Sequence, residues 1–337
     1  MKAVAYQQAG SIAHAQALQD VELPRPASGP HDLLVEIAAV SVNPVDTKIR
    51  NAVSPAAGDW KILGWDGVGR VVEAGADVRG FSPGDTVFYA GDLSRPGTNA
   101  QFHLVDARIA ALAPRTLSAP QAAALPLTAI TAWEMLFDRL DVTRLVPGAA
   151  PAILIIGGAG GVGSIAIQLA KALTGLTVIA TASRPETRDW VMALGADHVI
   201  DHRQPLAPQI AALGLGAPAF VFSTTGTGGH LEDIAALIAP QGRFGLIDDP
   251  ETLNIVAFKR KSVSVHWELM FTRSLYQTQD MDNQGELLAQ VARLVDAGKL
   301  RTTLTQTLSP INAETLMQAH RIIESGTARG KIVLHGF

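Results

Sequence analysis

Five glycines in the segment 155–163 of this 337-residue chain form its most distinctive chemical pattern. The spacing Gly158-x-Gly160-x-x-Gly163 follows an apolar run that predicts a buried strand, and it opens an amphipathic stretch that predicts a helix. The three glycines allow a tight turn, close approach of the backbone to a pyrophosphate, and packing of the helix on the strand. Because helix N–H groups hold anions, a dinucleotide site is favoured over a merely flexible turn. The predicted contacts are Gly158, Ala159, Gly160, Gly161, Val162 and Gly163.

The residues after the second predicted strand favour NADPH over NADH. NAD sites place an acidic residue about 20 positions beyond the glycine pattern. Here that position is Ser183, and the neighbouring guanidinium of Arg184 suits a 2′-phosphate. The alternatives are a helix cap for Ser183, a solvated charge for Arg184, and a helix-dipole role for Glu186. The remaining predicted cofactor contacts lie near the ends of later strands: His202, Ser223 and Ile247.

A parallel sheet is needed to position these residues, and the sequence from Ala152 onward predicts one. Short β-branched runs alternate with amphipathic stretches such as Val162–Leu173 and Pro185–Leu194, as in βαβ units. The predicted strands are 152–156, 177–181, 198–200, 219–223, 243–247 and 262–266. We therefore predict a doubly wound Rossmann domain over residues 127–270.

Residues 1–126 have a different pattern. Alternating apolar runs at 33–40 and 69–75 are separated by Gly/Pro turns, which predicts an antiparallel, barrel-like β domain. After residue 270, two helical patterns and a final strand, KIVLHGF, are expected to rejoin the first domain. The predicted fold class is α/β, with a β-barrel domain and a doubly wound domain.

Composition excludes several classes of protein. The chain has 27 Lys+Arg and 31 Asp+Glu, so its net charge is −4, and a charged fraction of 17% with 47% hydrophobic residues predicts a large buried core. The sequence contains no run of Lys and Arg, so it does not indicate a nucleic-acid partner. Leu145–Ala170 carries no charge, but Pro147, Gly148 and Pro151 interrupt it, so it is not predicted to enter a membrane. A cytoplasmic location is expected, since no apolar stretch follows the N-terminal lysine.

The chain has no Cys, which excludes disulfides, thiolate zinc sites and a Cys nucleophile. A metal would need His and carboxylate ligands. His198 and His202 are four residues apart, but on a predicted strand and loop with no third ligand in view. A solvated or cofactor-adjacent pair is therefore expected there, and no metal site is predicted.

Several segments together resemble the medium-chain dehydrogenase/reductase superfamily. The segments that resemble the superfamily are the turn GGAGGVGSIAIQLAK and the closing strand GKIVL. Its quinone oxidoreductase branch is resembled by three further segments: NPVDTKIR (43–50), residues 64–87 and LPLTAITAWEML (125–136). The resemblance implies a GroES-like catalytic domain built from residues 1–126 and 271–337, a Rossmann domain, a cleft-bound nicotinamide and a homodimer.

The same resemblance raises the question of zinc, because the superfamily includes zinc alcohol dehydrogenases with a Cys, His, Cys ligand set. The matching positions are Asn43, Trp65 and approximately Leu127, none of which is a good zinc ligand. Without a Lewis acid, activated acceptors such as quinones and α,β-unsaturated carbonyls are favoured, because they delocalise the charge of the added hydride.

Hydrogen-bond donors are then needed to stabilise the developing oxyanion. The predicted catalytic residues are Asn43, Lys48 and Thr128. Lys48 stands where the family often has a Tyr, and the alternatives are a turn cap for Asn43, a solvated charge for Lys48 and a backbone hydrogen bond for Thr128. Asp46 is expected to organise the turn that follows Asn43. The predicted substrate pocket, for which core packing is the alternative, contains Trp65, Tyr89, Trp267 and Phe271.

These residues together predict a zinc-independent oxidoreductase that uses NADPH to reduce a small quinone or enone. The two alternatives are a zinc-dependent alcohol dehydrogenase and a non-catalytic NADPH-binding or structural protein. No nucleic acid or membrane partner is expected.

Overall fold

The computed structural model describes residues 1–337, which divide into two compact units. The terminal unit combines Met1–Ile130 with Phe271–Phe337, and the central unit is Thr131–Met270. The first boundary falls at Ile130 rather than at the predicted residue 126. The intervening residues remain with the terminal unit because the N–H of Leu127 donates to the Asp66 carboxylate at 2.7 Å.

The N-terminal part of the terminal unit is mostly β-structure. Its strands are β1 (Lys2–Tyr6), β2 (Gln19–Glu22), β3 (Asp32–Val42), β4 (Lys61–Ile62), β5 (Gly67–Ala74), β6 (Thr86–Tyr89), β7 (Phe102–Asp106) and β8 (Ala110–Leu112). Its helices are α1 (Pro44–Ala52), α2 (Ala119–Ala123), α3 (Pro126–Trp133), which runs across the boundary, and a 3₁₀ turn at Ala107–Ile109.

The central unit alternates strands and helices. After a π-helix at Glu134–Arg139 come β9 (Ala150–Ile156), α4 (Gly161–Leu173), β10 (Thr177–Thr181), α5 (Pro185–Ala193), β11 (His198–Ile200), α6 (Leu206–Ala212), β12 (Pro218–Ser223), α7 (Thr227–Leu237), β13 (Arg243–Leu246), a 3₁₀ helix at Ile255–Lys261, and β14 (Ser264–Trp267).

The C-terminal part completes the terminal unit. It contains α8 (Thr272–Tyr276), α9 (Asn283–Asp296), β15 (Leu304–Leu308), α10 (Ala313–Glu324) and β16 (Lys331–His335). Strand β16 pairs antiparallel with β3, and Ile332 lies opposite Val42. The chain end is therefore built into the same sheet as the start of α1.

The sheet topology confirms the predicted fold class. The six central-unit strands pair in parallel in the order β11-β10-β9-β12-β13-β14, the doubly wound arrangement. Its apolar core includes Leu154, Ile179, Val221 and Phe244. The terminal unit has a seven-stranded sheet, ordered β15-β16-β3-β5-β6-β8 with β7 paired to β3, and a three-stranded sheet β2-β1-β4. No helix has both the length and the apolar character needed to cross a membrane.

Candidate functional site

The glycine turn joins β9 to α4 and is fixed by both neighbouring strands. Gly157 has a φ of +80°, and its N–H donates to the Thr181 hydroxyl at 3.0 Å. On the other side, the Thr224 hydroxyl donates to the carbonyl of Ile156 at 2.8 Å. The turn therefore lies at the carboxyl end of the central strand β9, which pairs with β10 on one side and β12 on the other. In doubly wound sheets this switch point is where nucleotides bind.

The space around the three pattern glycines fits a bound pyrophosphate. A Cβ at Gly163 would lie 2.4 Å from the carbonyl oxygen of Gly157, so helix and turn pack too closely for a side chain. A Cβ at Gly160 would meet nothing closer than 3.5 Å. Because α4 begins at Gly161, the N–H groups of its first turn have no carbonyl within the helix to bond and remain available to an anion.

Arg184 lies at the start of α5, directly beyond the end of β10. Its guanidinium is partly exposed and its Nε lies 3.1 Å from the Glu186 carboxylate. Glu186 was predicted to interact with the helix dipole, and its ion pair with Arg184 was not predicted. Sequence reasoning also missed Arg203, whose guanidinium donates to the Ser183 carbonyl at 2.8 Å and pairs with Asp201 at 2.9 Å. The only signal for Arg203 was its position directly after the predicted contact His202.

The other predicted cofactor contacts lie at the same edge of the sheet. His202 follows β11, and its Nδ1 is buried without a hydrogen-bond partner, as expected for a group that faces a ligand. Burial lowers the pKa of His202, so its imidazole is neutral at physiological pH. Ile247, just beyond β13, is half-buried. Ser223 is fully buried and accepts from the Thr227 hydroxyl at 2.7 Å, which favours a role in fixing the loop after β12.

The terminal unit contains a second site, a buried charged cluster formed by Asn43, Asp46, Asp66 and Lys331. Each of these side chains is at most 3% exposed. The Asn43 amide donates to Asp66 at 2.7 Å and accepts from the Lys331 ammonium. The ammonium also donates to the Val42 carbonyl at 3.0 Å and to Asp66 at 3.1 Å. Sequence reasoning placed Asn43 here but missed Asp66 and Lys331.

Asp46 organises the start of α1, as expected. Its carboxylate accepts from the N–H of Asn43 at 2.8 Å, in the geometry of a capping box. Burial raises the pKa of Asp46 to about 7, although the Asn43 N–H and the positive charge of Lys331 favour its ionised form. The cluster thus contains two buried acids and one ammonium.

Comparison with known proteins identifies the family. Residues 29–114 match the alcohol dehydrogenase GroES-like domain, and residues 194–334 match the zinc-binding dehydrogenase domain. A zinc-type alcohol dehydrogenase-like protein of Staphylococcus aureus (strain COL) is 39% identical over 99% of this chain and 100% of its own. The chain belongs to the medium-chain dehydrogenase/reductase superfamily.

Solved structures of this superfamily have the same fold. A putative zinc-dependent alcohol dehydrogenase from Rhizobium etli is 64% identical, with a TM-score of 0.99 over 100% of this chain and 98% of its own. The quinone oxidoreductase from Coxiella burnetii is 28% identical, with a TM-score of 0.81 over 100% of this chain and 99% of its own. The chain is therefore an oxidoreductase of the quinone oxidoreductase-like branch.

Zinc, which the names of these superfamily relatives imply, does not fit the residues at the expected ligand positions. The indole N–H of Trp65 donates to the Asp92 carbonyl at 3.2 Å, and Leu127 has an apolar side chain. The amide oxygen of Asn43 accepts from Lys331. Nowhere in the chain do three His, Asp or Glu side chains come close enough to bind a metal.

Two predicted oxyanion donors, Asn43 and Thr128, and the predicted pocket residue Tyr89 are buried and already hydrogen-bonded. Both polar atoms of the Asn43 amide are engaged, and the Thr128 hydroxyl donates to the Leu125 carbonyl at 3.1 Å. The hydroxyl of Tyr89 bonds to Nδ1 of His103 at 3.0 Å. Burial lowers the pKa of His103 to about 4, so the ring is neutral, and its Nε2 donates to the Pro96 carbonyl at 2.9 Å. Nδ1 therefore accepts a hydrogen bond from the tyrosine hydroxyl. The remaining predicted donor, Lys48, is exposed on α1.

Three of the four predicted pocket aromatics pack in the core, which corrects their assignment as substrate contacts. Tyr89, Trp65 and Phe271 are at most 2% exposed. Trp65 meets Phe271 edge-on, with ring centroids 6.2 Å apart, and burial of both rings removes their apolar surface from water. Trp267, at the end of β14, is 53% exposed.

Proposed function

We propose that this oxidoreductase uses NADPH to reduce a quinone or an α,β-unsaturated carbonyl compound, without zinc. The observation that carries the proposal is the glycine turn at the end of β9, combined with Arg184 next to Ser183, which occupies the position where NAD sites have an acidic residue. The quinone oxidoreductase of C. burnetii, similar along the whole chain, supports the reaction class. No group of His, Asp or Glu side chains in this chain could hold the zinc named in other relatives. Hydride transfer without a metal to polarise the acceptor favours activated acceptors.

The residues of the central unit bind and orient the cofactor in this proposal. Bound NADPH supplies a hydride. The first-turn N–H groups of α4 hold its pyrophosphate, and Arg184 pairs with its 2′-phosphate. Arg203, which already fixes the Ser183 carbonyl, keeps the loop after β10 in place for that contact.

Lys48 is the proposed proton donor. It is the exposed member of the predicted donor set, and its ammonium can protonate the oxygen that gains negative charge when the acceptor receives the hydride. The acceptor thus gains two electrons with the hydride and one proton from Lys48, which solvent then reprotonates.

Replacing Lys48 tests this role. Lys48→Met should lower kcat about tenfold or more, since general acids contribute about 10²- to 10⁴-fold, while the Kd of NADPH stays unchanged. Lys48→Arg, which keeps the charge but holds its proton more tightly, should also be slow. Stopped-flow single turnovers measure the chemical step, and an unaltered rate in Lys48→Met would assign the proton to another group.

The proposed reaction is tested with a panel of acceptors. Purified protein with NADPH should reduce small quinones and enones faster than simple ketones and aldehydes, and NADH should serve poorly. Rapid oxidation of a simple alcohol would favour the alternative alcohol dehydrogenase. NADPH binding without turnover of any acceptor would favour the non-catalytic alternative.

A further inference from the structure

The ammonium of Lys331 is surrounded by oxygen atoms deep in the terminal unit. It contacts the Asp66 carboxylate at 3.1 Å, the Val42 carbonyl at 3.0 Å and the amide oxygen of Asn43. The Lys331 side chain is 3% exposed and that of Asp66 is not exposed. A buried pair of this kind loses much hydration energy, so it persists only with additional hydrogen bonds, which the cluster supplies.

This pair anchors the first turns of two helices. Through Val42 and Asn43, the ammonium fixes the residues immediately before α1, the helix that bears Lys48. The second oxygen of Asp66 accepts from the N–H of Leu127 at 2.7 Å, in the first turn of α3. A carboxylate at a helix N-terminus stabilises it through the dipole and its unbonded N–H groups.

We propose that Lys331 is a positioning residue and the resident cation of the terminal unit. Its ammonium is the positive charge in contact with Asp66 and Asn43. It thereby keeps Asp66 ionised and holds the starts of α1 and α3 in place. The positioning part of this inference rests on the proposed function, and the charge part does not.

The charges around Asp66 explain why a cation is needed there. Burial raises the pKa of Asp66, and the charge of the Lys331 ammonium opposes that rise. The neighbouring acid Asp46 is also buried, and the charge of Asp66 opposes its ionisation. Lys331 is the cation in contact with Asp66. Without its ammonium, Asp66 would be a buried charge with only neutral donors, and taking up a proton would be favoured.

Three variants of the full-length protein test the charge. Lys331→Met should create a protonated carboxyl group, visible as a new carboxylic-acid carbonyl band in the infrared spectrum at neutral pH. The double variant Lys331→Met/Asp66→Asn should lack that band, which assigns it to Asp66. Lys171→Met is the matched control, because Lys171 pairs with Asp197 at 2.9 Å on the surface, where water keeps the carboxylate ionised.

Turnover of the same variants tests positioning. Lys331→Met should unfold at a lower temperature than wild type, and the double variant should recover most of that loss because no buried charge remains unpaired. We expect kcat to stay at least tenfold below wild type in both variants, with the Kd of NADPH unchanged. A double variant that recovers full kcat together with its melting temperature would show that the ammonium only supports folding.

The two readouts separate this inference from the proposed function. If wild-type protein reduces no quinone or enone but the infrared band appears as described, the proposed function fails and the resident cation stands. If wild-type protein turns over and Lys331→Met shows no new band, Asp66 stays ionised without Lys331 and the inference is overturned. If Lys331→Met does not fold, the double variant, in which Asp66 carries no charge, still tests positioning through kcat. Stoichiometric zinc bound by wild type would also contradict the inference.

Discussion

Arg184 forms an ion pair with Glu186, and a cofactor phosphate that binds Arg184 has to replace this ion pair. Their side chains lie 3.1 Å apart and are 38% and 55% exposed, so water screens the pair and it contributes little to folding. A 2′-phosphate carries more charge than one carboxylate and offers more acceptor oxygens. Arg184 can therefore exchange Glu186 for the phosphate with a net gain in binding free energy.

Arg184→Ala should weaken NADPH binding far more than NADH binding. A charge-assisted contact contributes about 1.5 to 3 kcal/mol, which is roughly a 10- to 150-fold change in Kd. Fluorescence titration with each cofactor measures it, and Arg260→Ala, at an exposed arginine of the 3₁₀ helix Ile255–Lys261, is the control. An equal loss for both cofactors would remove Arg184 from the 2′-phosphate role.

Gly160→Ala should leave the fold intact and impair dinucleotide binding. Its φ of −72° suits alanine and the added Cβ meets nothing closer than 3.5 Å, but it narrows the space through which a pyrophosphate approaches the backbone. We expect an unchanged melting temperature and a Kd for NADPH at least tenfold higher. Gly175→Ala, where a Cβ meets nothing within 4 Å, is the matched control. Wild-type affinity in Gly160→Ala would contradict the assignment of the turn.

At this scale, sequence reasoning located backbone sites better than side-chain roles. The glycine spacing predicted the turn because its requirements are local. The hydrogen bond of the Tyr89 hydroxyl was not predictable, because its partner His103 lies on a different strand, β7. Lys331 was missed for the same reason: its position in an apolar C-terminal strand gives no signal of the acid, Asp66, that faces it 265 residues earlier.

The π-helix Glu134–Arg139 places two buried acids together at one end of the central unit. The carboxyl of Glu134 hydrogen-bonds to that of Glu268, which directly follows β14, and Nε of Arg139 donates to Glu268 at 2.7 Å. Burial, followed by the charge of Glu134, raises the pKa of Glu268 to about 8. The folded protein therefore holds a proton here that the unfolded chain releases.

Stability should fall with rising pH because of this pair. Between the ordinary glutamate pKa and about 8 the folded state binds more protons than the unfolded state, so the free energy of unfolding decreases as pH rises through that window. In Glu268→Gln, the free energy of unfolding should decrease less over this pH window, by on the order of 2 kcal/mol. Urea unfolding at pH 5.5 to 8.5 measures the slope, and an identical slope in the variant would mean that Glu268 is not the group responsible.

Strands and helices of the central unit were predictable because each has its own periodic pattern. All six predicted strands exist, with ends shifted by at most two residues. The π-helix was not predictable, since Glu134–Arg139 carries no Pro or Gly to mark it and its geometry depends on buried partners such as Glu268. In the terminal unit, the alternating runs predicted β-structure but not which strands would pair.

The whole molecule is two units made from three chain segments, with both chain ends in the terminal unit. Sequence reasoning predicted that the C-terminal segment returns to the first domain, but not which strands pair there, because pairing of β16 with β3 joins residues about 290 positions apart and leaves no local pattern. The exposed edge of the central sheet is also a property of the whole molecule. Strand β14 pairs with β13 on one side only, and Trp267 and Leu269 beside it are about half exposed.

This edge favours the homodimer that the family resemblance implies. An unpaired strand with exposed apolar residues is suited to pairing with a second copy. Wild-type protein should sediment as a dimer, and Trp267→Asp/Leu269→Asp should shift it toward monomer. Met192→Asp, at a half-exposed residue of α5, is the control. A monomeric wild type at micromolar concentration would contradict the assignment.

Hydride transfer from NADPH without zinc can be tested in a single assay. NADPH oxidation with a quinone is followed before and after dialysis against a strong chelator, and the zinc content of the same samples is determined by mass spectrometry. We expect equal turnover in both samples and far less than one zinc per chain. Stoichiometric zinc, together with turnover that chelation abolishes and added zinc restores, would contradict it.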